Sequence, residues 1–241
     1  MSESVGAEPG EKPPHGSGEH ERTGGFALAG FEARVLPRLA AALPARVMPD
    51  HLTLLGLLAS TGVGVAYMLS NQDIRWLWAA SACLVVQWYG DSLDGTLARY
   101  RKIERPRYGF YLDHLTDAYS TLVVGLGLGF SPMMLLSAGL AIVIAYLLLS
   151  INVYLETHVF GKFTLGHGTI GPTETRLMLI ALNTLAVAWS PLPFMMYGVP
   201  FTVYDVVGLA AVGAMLAMLF GRAGRNLRTL AELEPPGVRR E

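Results

Sequence analysis

The sequence predicts an all-α polytopic membrane protein, with six transmembrane helices preceded by an amphipathic helix at the membrane interface. Three observations support this fold class. Of the 241 residues, 52% are hydrophobic and 15% are charged, whereas a soluble domain carries about 25% charged residues. Apolar segments close to the roughly 20 residues that cross a bilayer recur along the chain. Basic residues are concentrated in alternate connections between these segments.

The chain before the first apolar segment divides into two parts. Residues 1–25 are polar and rich in Gly, Glu, Pro and His, which predicts disorder because they offer little apolar surface to bury. Residues 26–46 alternate apolar and charged side chains, as in an amphipathic helix on a membrane surface, with a kink or break at Pro37. A helix packed on the rest of the protein is the alternative for this segment.

The apolar segments follow in residues 47–222, which we interpret as one transmembrane domain, and residues 223–241 are interpreted as a cytoplasmic tail. Glycines such as Gly56, Gly64 and Gly127 predict close helix contacts, because small residues let two backbones approach. Turn-forming residues separate the segments. The predicted spans are residues 52–70, 76–100, 107–130, 133–156, 174–190 and 201–220.

The distribution of basic residues predicts the orientation of the protein. With six spans, one side of the membrane holds residues 1–51, 99–107, 156–176 and 221–241. That side carries 17 of the 18 Lys and Arg residues, and the other side carries only Arg75. Because basic residues favour the cytoplasmic side, we expect a multi-pass protein with both termini in the cytoplasm, and no nucleic-acid partner.

Four aspartates interrupt the second and third predicted spans. Asp91 and Asp94 are three residues apart, and Asp113 and Asp117 are four apart, so each pair shares a helix face. The connection between the two helices is short, which predicts that they are antiparallel neighbours. With a rise of about 1.5 Å per residue, Asp94 and Asp113 each lie about 9 Å from the cytoplasmic end of their helix. All four carboxylates are therefore expected to meet at one level.

These carboxylates need a compensating charge, because each one costs roughly 2.5–3.5 kcal/mol inside a membrane. Hard divalent cations fit an all-oxygen donor set, and Mg²⁺ commonly binds through a few carboxylates and substrate phosphates. The basic loop at residues 99–107 suits a diphosphate substrate, although the positive-inside rule alone also explains it. Structural pairing of the aspartates with the arginines of this loop is the alternative.

The segment from Asp91 to Asp117 resembles the signature of the CDP-alcohol phosphotransferases, D-x-x-D-G-x-x-A-R, a spacer, and G-x-x-x-D-x-x-x-D. All eight fixed positions, spread over 27 residues, match. The spacer of nine residues between Arg99 and Gly109 is one residue longer than is commonest in the family. The resemblance extends to the family's six-helix fold.

The resemblance implies an integral membrane enzyme of phospholipid biosynthesis. Such an enzyme moves a substituted phosphate from a CDP-linked donor, CDP-diacylglycerol or a CDP-alcohol, to an alcohol acceptor and releases CMP. It implies that two divalent cations, Mg²⁺ or Mn²⁺, are held by Asp91, Asp94, Asp113 and Asp117, and that Asp117 is the general base. The nucleotide-binding residues it implies are Asp94, Gly95, Ala98, Arg99 and Gly109. It also implies membrane lipid as a partner, a homodimer, and an active site on the cytoplasmic side.

Other residues are candidates for contacts with the acceptor or a phosphate. Arg107 lies in the basic loop, and Thr173 and Arg176 lie at a predicted helix start, where an anion can bind. A capped helix with an arginine at the interface explains the last two equally well. Helix packing by small residues is the alternative for Gly95 and Ala98. The remaining candidates are histidines: His114, which is expected to point away from Asp113, and His158 and His167, whose roles are open.

A transporter of divalent cations, or one coupled to protons, is the alternative function, because it too needs intramembrane carboxylates. Transporter sites tend to lie at the membrane midplane on broken helices, whereas these aspartates lie toward one face. A catalytically silent scaffold is disfavoured by the presence of all four aspartates. The sequence leaves open the identity of the alcohol and which substrate carries the CDP.

Overall fold

The structure, a computed structural model, describes residues 27–160, 171–189, 193–196 and 198–235. Within these ranges the chain forms seven α-helices and one pair of short strands. The elements are α1 (Ala29–Ala42), α2 (Pro49–Leu69), α3 (Trp76–Arg101), α4 (Pro106–Gly129), α5 (Leu136–Phe160), α6 (Pro172–Trp189), β1 (Phe194–Met196), β2 (Val199–Phe201) and α7 (Val203–Leu233). The predicted disorder of residues 1–25 and the position of His167 lie outside the described residues.

The helical class is confirmed, and six of the helices coincide in position with the six predicted spans. By length and composition, α2, α5 and α7 are apolar enough to cross a membrane. The helices α3 and α4, which carry the aspartates, are less apolar than this, and so is α6. The count of six spans therefore stays a prediction. Helix α7 has 31 residues and is therefore about 46 Å long, which extends it well into the predicted tail, residues 223–241.

One correction concerns the proline-rich connection between α6 and α7, where the sequence predicts only turns. The strands β1 and β2 pair there as an antiparallel hairpin, with Phe194 opposite Phe201 and Met196 opposite Val199. Gly198 has a φ of +78°, which glycine adopts without steric cost. The hairpin departs from the purely α-helical prediction.

The two helices that carry the aspartates pack on a common neighbour. Helix α2 packs closely against both α3 and α4, while α3 and α4 make few close backbone contacts with each other. That α3 and α4 are antiparallel neighbours stays a prediction. The close packing on α2 is explained by glycines at its contacts. A Cβ on Gly90 of α3 would lie 2.6 Å from the amide nitrogen of Gly56, and one on Gly127 of α4 would lie 2.6 Å from the carbonyl oxygen of Gly64. Each helix therefore lies directly against the backbone of α2.

Helix α1 packs on the rest of the protein, which was the alternative for this segment. Its buried residues Leu36 and Ala40 join a small apolar cluster with Leu93 and Leu97 of α3. Pro37 lies inside α1 without ending it. Because part of the apolar face of α1 is covered by protein, its predicted position at the membrane interface stays a prediction.

Two buried polar groups join the other helices. The fully buried Asn183 of α6 accepts hydrogen bonds from the hydroxyls of Tyr67 and Tyr204, at 3.1 and 2.9 Å, and donates to Ser81 at 3.1 Å. This single amide thus links α2, α3, α6 and α7. Between α5 and α7, Arg222 donates to both carboxylate oxygens of buried Glu156. Both groups are satisfied, as buried polar groups normally are.

Candidate active site

The two aspartates of α3 point toward different neighbouring helices. Asp94 accepts a hydrogen bond from the Thr53 hydroxyl of α2 at 2.7 Å, and its other oxygen accepts from the amide of Gly95. Asp91 forms a salt bridge with Arg176 of α6. Since Asp91 directly follows Gly90, the close contact between α2 and α3 sets the position from which its side chain projects.

Arg176 of α6 is a cation in direct contact with this site. Its side chain is only 10% exposed, and its guanidinium donates to Gln87 and Asp91, which lie one turn apart on α3. The sequence predicted Arg176 as a phosphate contact, and the structure places it against an aspartate. The alternative prediction was that the aspartates pair with arginines of the basic loop. Asp91 does pair with an arginine, but that arginine belongs to α6 and not to the basic loop. Sequence reasoning missed Gln87.

The aspartates of α4 complete the cluster. Asp117 is close enough to Asp91, Asp94 and Asp113 for the four charges to interact, and it also interacts with the charge of Arg176. Asp94 interacts in the same way with Asp91 and Asp113. The four residues thus form one electrostatically coupled group on two helices that both pack against α2.

A small cleft opens between α2, α3 and α4 at this group. Its volume is about 10 Å³, which is on the order of the space that one water molecule needs. This is room for an ion or a water molecule and not for a nucleotide. Of the four aspartates, Asp91 and Asp94 line the cleft. The cleft is lined by Thr53, Gly56, Leu57, Gln87, Asp91, Asp94, Thr116 and Ser120.

The donor chemistry of the group fits a hard divalent cation. Carboxylate oxygens are ligands that Mg²⁺ and Mn²⁺ prefer. Among the described residues, no three His, Cys, Asp or Glu side chains form a ready-made ligand set. The structure has Asp91 bonded to Arg176 and Asp94 bonded to Thr53. A carboxylate has about four acceptor positions, so these bonds leave capacity for a cation.

The predicted nucleotide-binding residues lie near the C-terminal end of α3 and the start of α4. The guanidinium of exposed Arg99 lies 3.3 Å from the position of a Cβ on Gly95, and it donates to Thr96. Gly109 is exposed, with nothing within 4 Å of the position of its Cβ. Close contact with another helix therefore does not explain either glycine. Ala98 is half-buried.

The other candidates are placed less directly. Arg107 is exposed at the start of α4. Thr173 donates to Glu32 of α1 at 2.6 Å, so its hydroxyl is used in holding two helices together. The ring of His114 packs edge-on against Tyr154 of α5, with centroids 5.1 Å apart. His158 is exposed near the end of α5.

The sequence of this chain matches a family model described as CDP-alcohol phosphatidyltransferase over residues 46–204. The chain belongs to the CDP-alcohol phosphatidyltransferase family. The match runs from just before α2 to the start of α7 and includes all four aspartates. The protein is therefore an enzyme that transfers substituted phosphate groups, and the transporter alternative has no support. No individual curated protein matches the chain.

For a CDP-alcohol phosphatidyltransferase, the apolar helices α2, α5 and α7 fit an integral membrane protein. Helix α1 lies outside the matched residues. Its contacts with α3 and α6 were also absent from the sequence predictions. No local sequence pattern reveals a contact between residues as far apart as Glu32 and Thr173.

Proposed function

We propose that this enzyme transfers a substituted phosphate from a CDP-linked donor, CDP-diacylglycerol or a CDP-alcohol, to an alcohol acceptor, with release of CMP, in phospholipid biosynthesis. The observation that carries the proposal is the coupled group of four carboxylates on α3 and α4, beside the basic loop that joins these helices. Acids that repel one another need cations, and a diphosphate substrate brings a further negative charge to the same place.

In this proposal Asp91, Asp94, Asp113 and Asp117 hold two divalent cations, Mg²⁺ or Mn²⁺. When bound, such ions offset the charge of the diphosphate and of the departing phosphate. Asp117 is the general base, which requires its carboxylate to lie within about 2.6–3.2 Å of the acceptor hydroxyl. The hydroxyl oxygen forms a bond to the donor phosphorus, its proton passes to Asp117, and the bond from that phosphorus to the bridging oxygen breaks. CMP leaves with the electron pair.

The remaining residues bind and orient the substrates. Around the nucleotide we place Asp94, Gly95, Ala98, Arg99 and Gly109. The contact of Arg176 with Asp91 supports a role for this arginine at the phosphates, and Arg107 is exposed near the same end. The bond from Thr173 to Glu32 favours a supporting role for Thr173 over contact with the acceptor.

The proposed topology is a six-helix transmembrane domain in residues 47–222, with both termini and the active site on the cytoplasmic side. The single basic residue on the opposite side, Arg75, is paired with Asp73 in the connection between α2 and α3. The hydrogen bond from Arg75 holds the pKa of the Asp73 carboxyl below its usual value. Membrane lipid and a second copy of the chain are the proposed partners.

The test is CMP release by purified protein in lipid nanodiscs with Mg²⁺ or Mn²⁺. Each donor, CDP-diacylglycerol, CDP-choline and CDP-ethanolamine, is combined with a panel of alcohols that includes inositol phosphate, glycerol phosphate, serine and diacylglycerol. We expect CMP release that requires one donor and one alcohol together, with formation of the matching lipid product. Metal uptake into proteoliposomes without CMP release from any pair would contradict the proposal.

A further inference from the structure

We propose that Glu32 of α1 is a positioning residue for Arg176, so that α1 contributes to the active site without touching the substrates. The inference rests on the proposed function and adds a part of the chain that lies outside the family match. One carboxylate oxygen of Glu32 accepts two hydrogen bonds, from the Thr173 hydroxyl of α6 at 2.6 Å and from the Trp88 indole of α3 at 2.9 Å. Glu32 therefore links all three helices.

This link lies directly beside the contact of Arg176 with the aspartate group. Thr173 precedes Arg176 by one turn of α6, and Trp88 is adjacent to Gln87, the second acceptor of the Arg176 guanidinium. Helices α3 and α6 are thus joined by two neighbouring bridges. One runs through Glu32, and the other runs through Arg176 to Gln87 and Asp91.

A second acid fastens α1 to the same turn of α6. Glu174 accepts from the amide of Leu28 at 2.8 Å through one oxygen and from the amide of Gly171 at 2.9 Å through the other. The first turn of α6 is therefore held from the α1 side by both Glu32 and Glu174. The direction in which Arg176 meets Asp91 depends on these bonds. This matters because catalysis is sensitive to displacements of about 1 Å.

The experiment compares CMP release by Glu32→Ala and Glu32→Gln. The alanine variant loses the acceptor of both bonds, and we expect kcat to fall about tenfold, equivalent to about 1.4 kcal/mol. The KM for the donor should change less than about twofold, because Glu32 does not touch the donor. The glutamine variant retains an acceptor oxygen and is expected to restore most of kcat. The control is Arg34→Gln, which also removes one charge from α1 but lies on its exposed side.

Two further variants test whether the effect passes through α6 to Arg176. Thr173→Val removes one donor to Glu32, and it should lower kcat in the same way and provide a second route if Glu32→Ala is not recovered folded. In an Arg176→Lys background, Glu32→Ala is expected to have little additional effect, because interacting residues are not additive.

Several outcomes would overturn the inference while leaving the proposed function intact. They are wild-type kcat in both Glu32→Ala and Thr173→Val, no rescue by glutamine, or the full tenfold loss in the Arg176→Lys background. Absence of CMP release by the wild-type protein with every substrate pair would instead overturn the proposed function, and this inference with it.

Discussion

Gly90 of α3 lies against Gly56 of α2 so closely that the two backbones are in contact, one residue before Asp91. The crossing of these helices therefore fixes where the first aspartate of the cluster projects. A side chain at this point has no space, since a Cβ on Gly90 would meet backbone atoms at 2.6 Å. Backbone atoms, unlike the end of a flexible side chain, cannot move aside without shifting a helix.

Gly90→Ala is therefore expected to destabilise the protein and to reduce activity. Overpacking of a well-packed site costs about 1–3 kcal/mol, and the shift of α3 moves Asp91 as well. Thermal unfolding in detergent and CMP release measure the two effects. Gly213→Ala is the control, because nothing lies within 4 Å of the position of its Cβ in α7. Equal unfolding temperatures for the two variants would contradict the prediction.

Asp117→Asn is expected to lower kcat by about 10²–10⁴-fold, because an amide cannot accept the proton of the acceptor hydroxyl. The variant should remain folded, since the two side chains have nearly the same shape. The measurement is CMP release together with size-exclusion chromatography. Asp73→Asn, in the exposed connection between α2 and α3, is the matched control. Undiminished turnover by Asp117→Asn would remove this residue from the role of base.

Removal of divalent cations is expected to lower both activity and stability. A ligand that binds only the folded protein stabilises it by about 2.7 kcal/mol at a concentration one hundred times its Kd, so Mg²⁺ or Mn²⁺ should raise the unfolding temperature of protein treated with EDTA. Asp113→Asn should reduce this rise, because it removes one proposed ligand. If Mg²⁺ and Mn²⁺ do not change the unfolding temperature of the wild-type protein, the proposed metal site is contradicted.

The Glu156–Arg222 pair makes a prediction about stability away from the site. Removal of one member of a buried pair leaves an uncompensated charge and costs about 3–5 kcal/mol, so Glu156→Ala should lower the unfolding temperature strongly. Replacement of both residues by apolar ones, Glu156→Leu with Arg222→Met, is expected to be much less harmful. Glu232→Ala, at an exposed position of α7, is the control. A double variant as unstable as the single one would show that the pair is not the cause.

The sequence predicted the aspartate helices well because their pattern is local. The pairs Asp91 with Asp94 and Asp113 with Asp117 share helix faces through the spacing alone, and the ends of α3 and α4 lie close to the predicted limits. The same local pattern gives no information about how these helices pack against the rest of the protein. The short connection between α3 and α4 predicts that they are neighbours, but it does not predict that both helices pack against the glycines of α2.

Contacts between distant parts of the chain were beyond sequence reasoning. An amphipathic pattern in residues 26–46 is equally compatible with a lipid surface and with a protein surface, so it could not reveal that α1 packs on α3. Glu32, Trp88 and Thr173 are ordinary residues within their own segments and become informative only where the fold brings them together. The same holds for Asn183, because the sequence around a single amide in an apolar helix does not indicate which three residues form hydrogen bonds with it.

In the proposed six-span topology, the β1–β2 hairpin lies on the side of the membrane opposite the active site and gives experimental access to that side. Met195 is exposed in β1, and the native cysteine, Cys83, is half-buried in α3. A cysteine introduced at Met195 would therefore be reached by a membrane-impermeant thiol reagent from only one face of a sealed vesicle. Labelling in right-side-out vesicles, compared with inverted ones, would give the orientation of the whole bundle from a single residue.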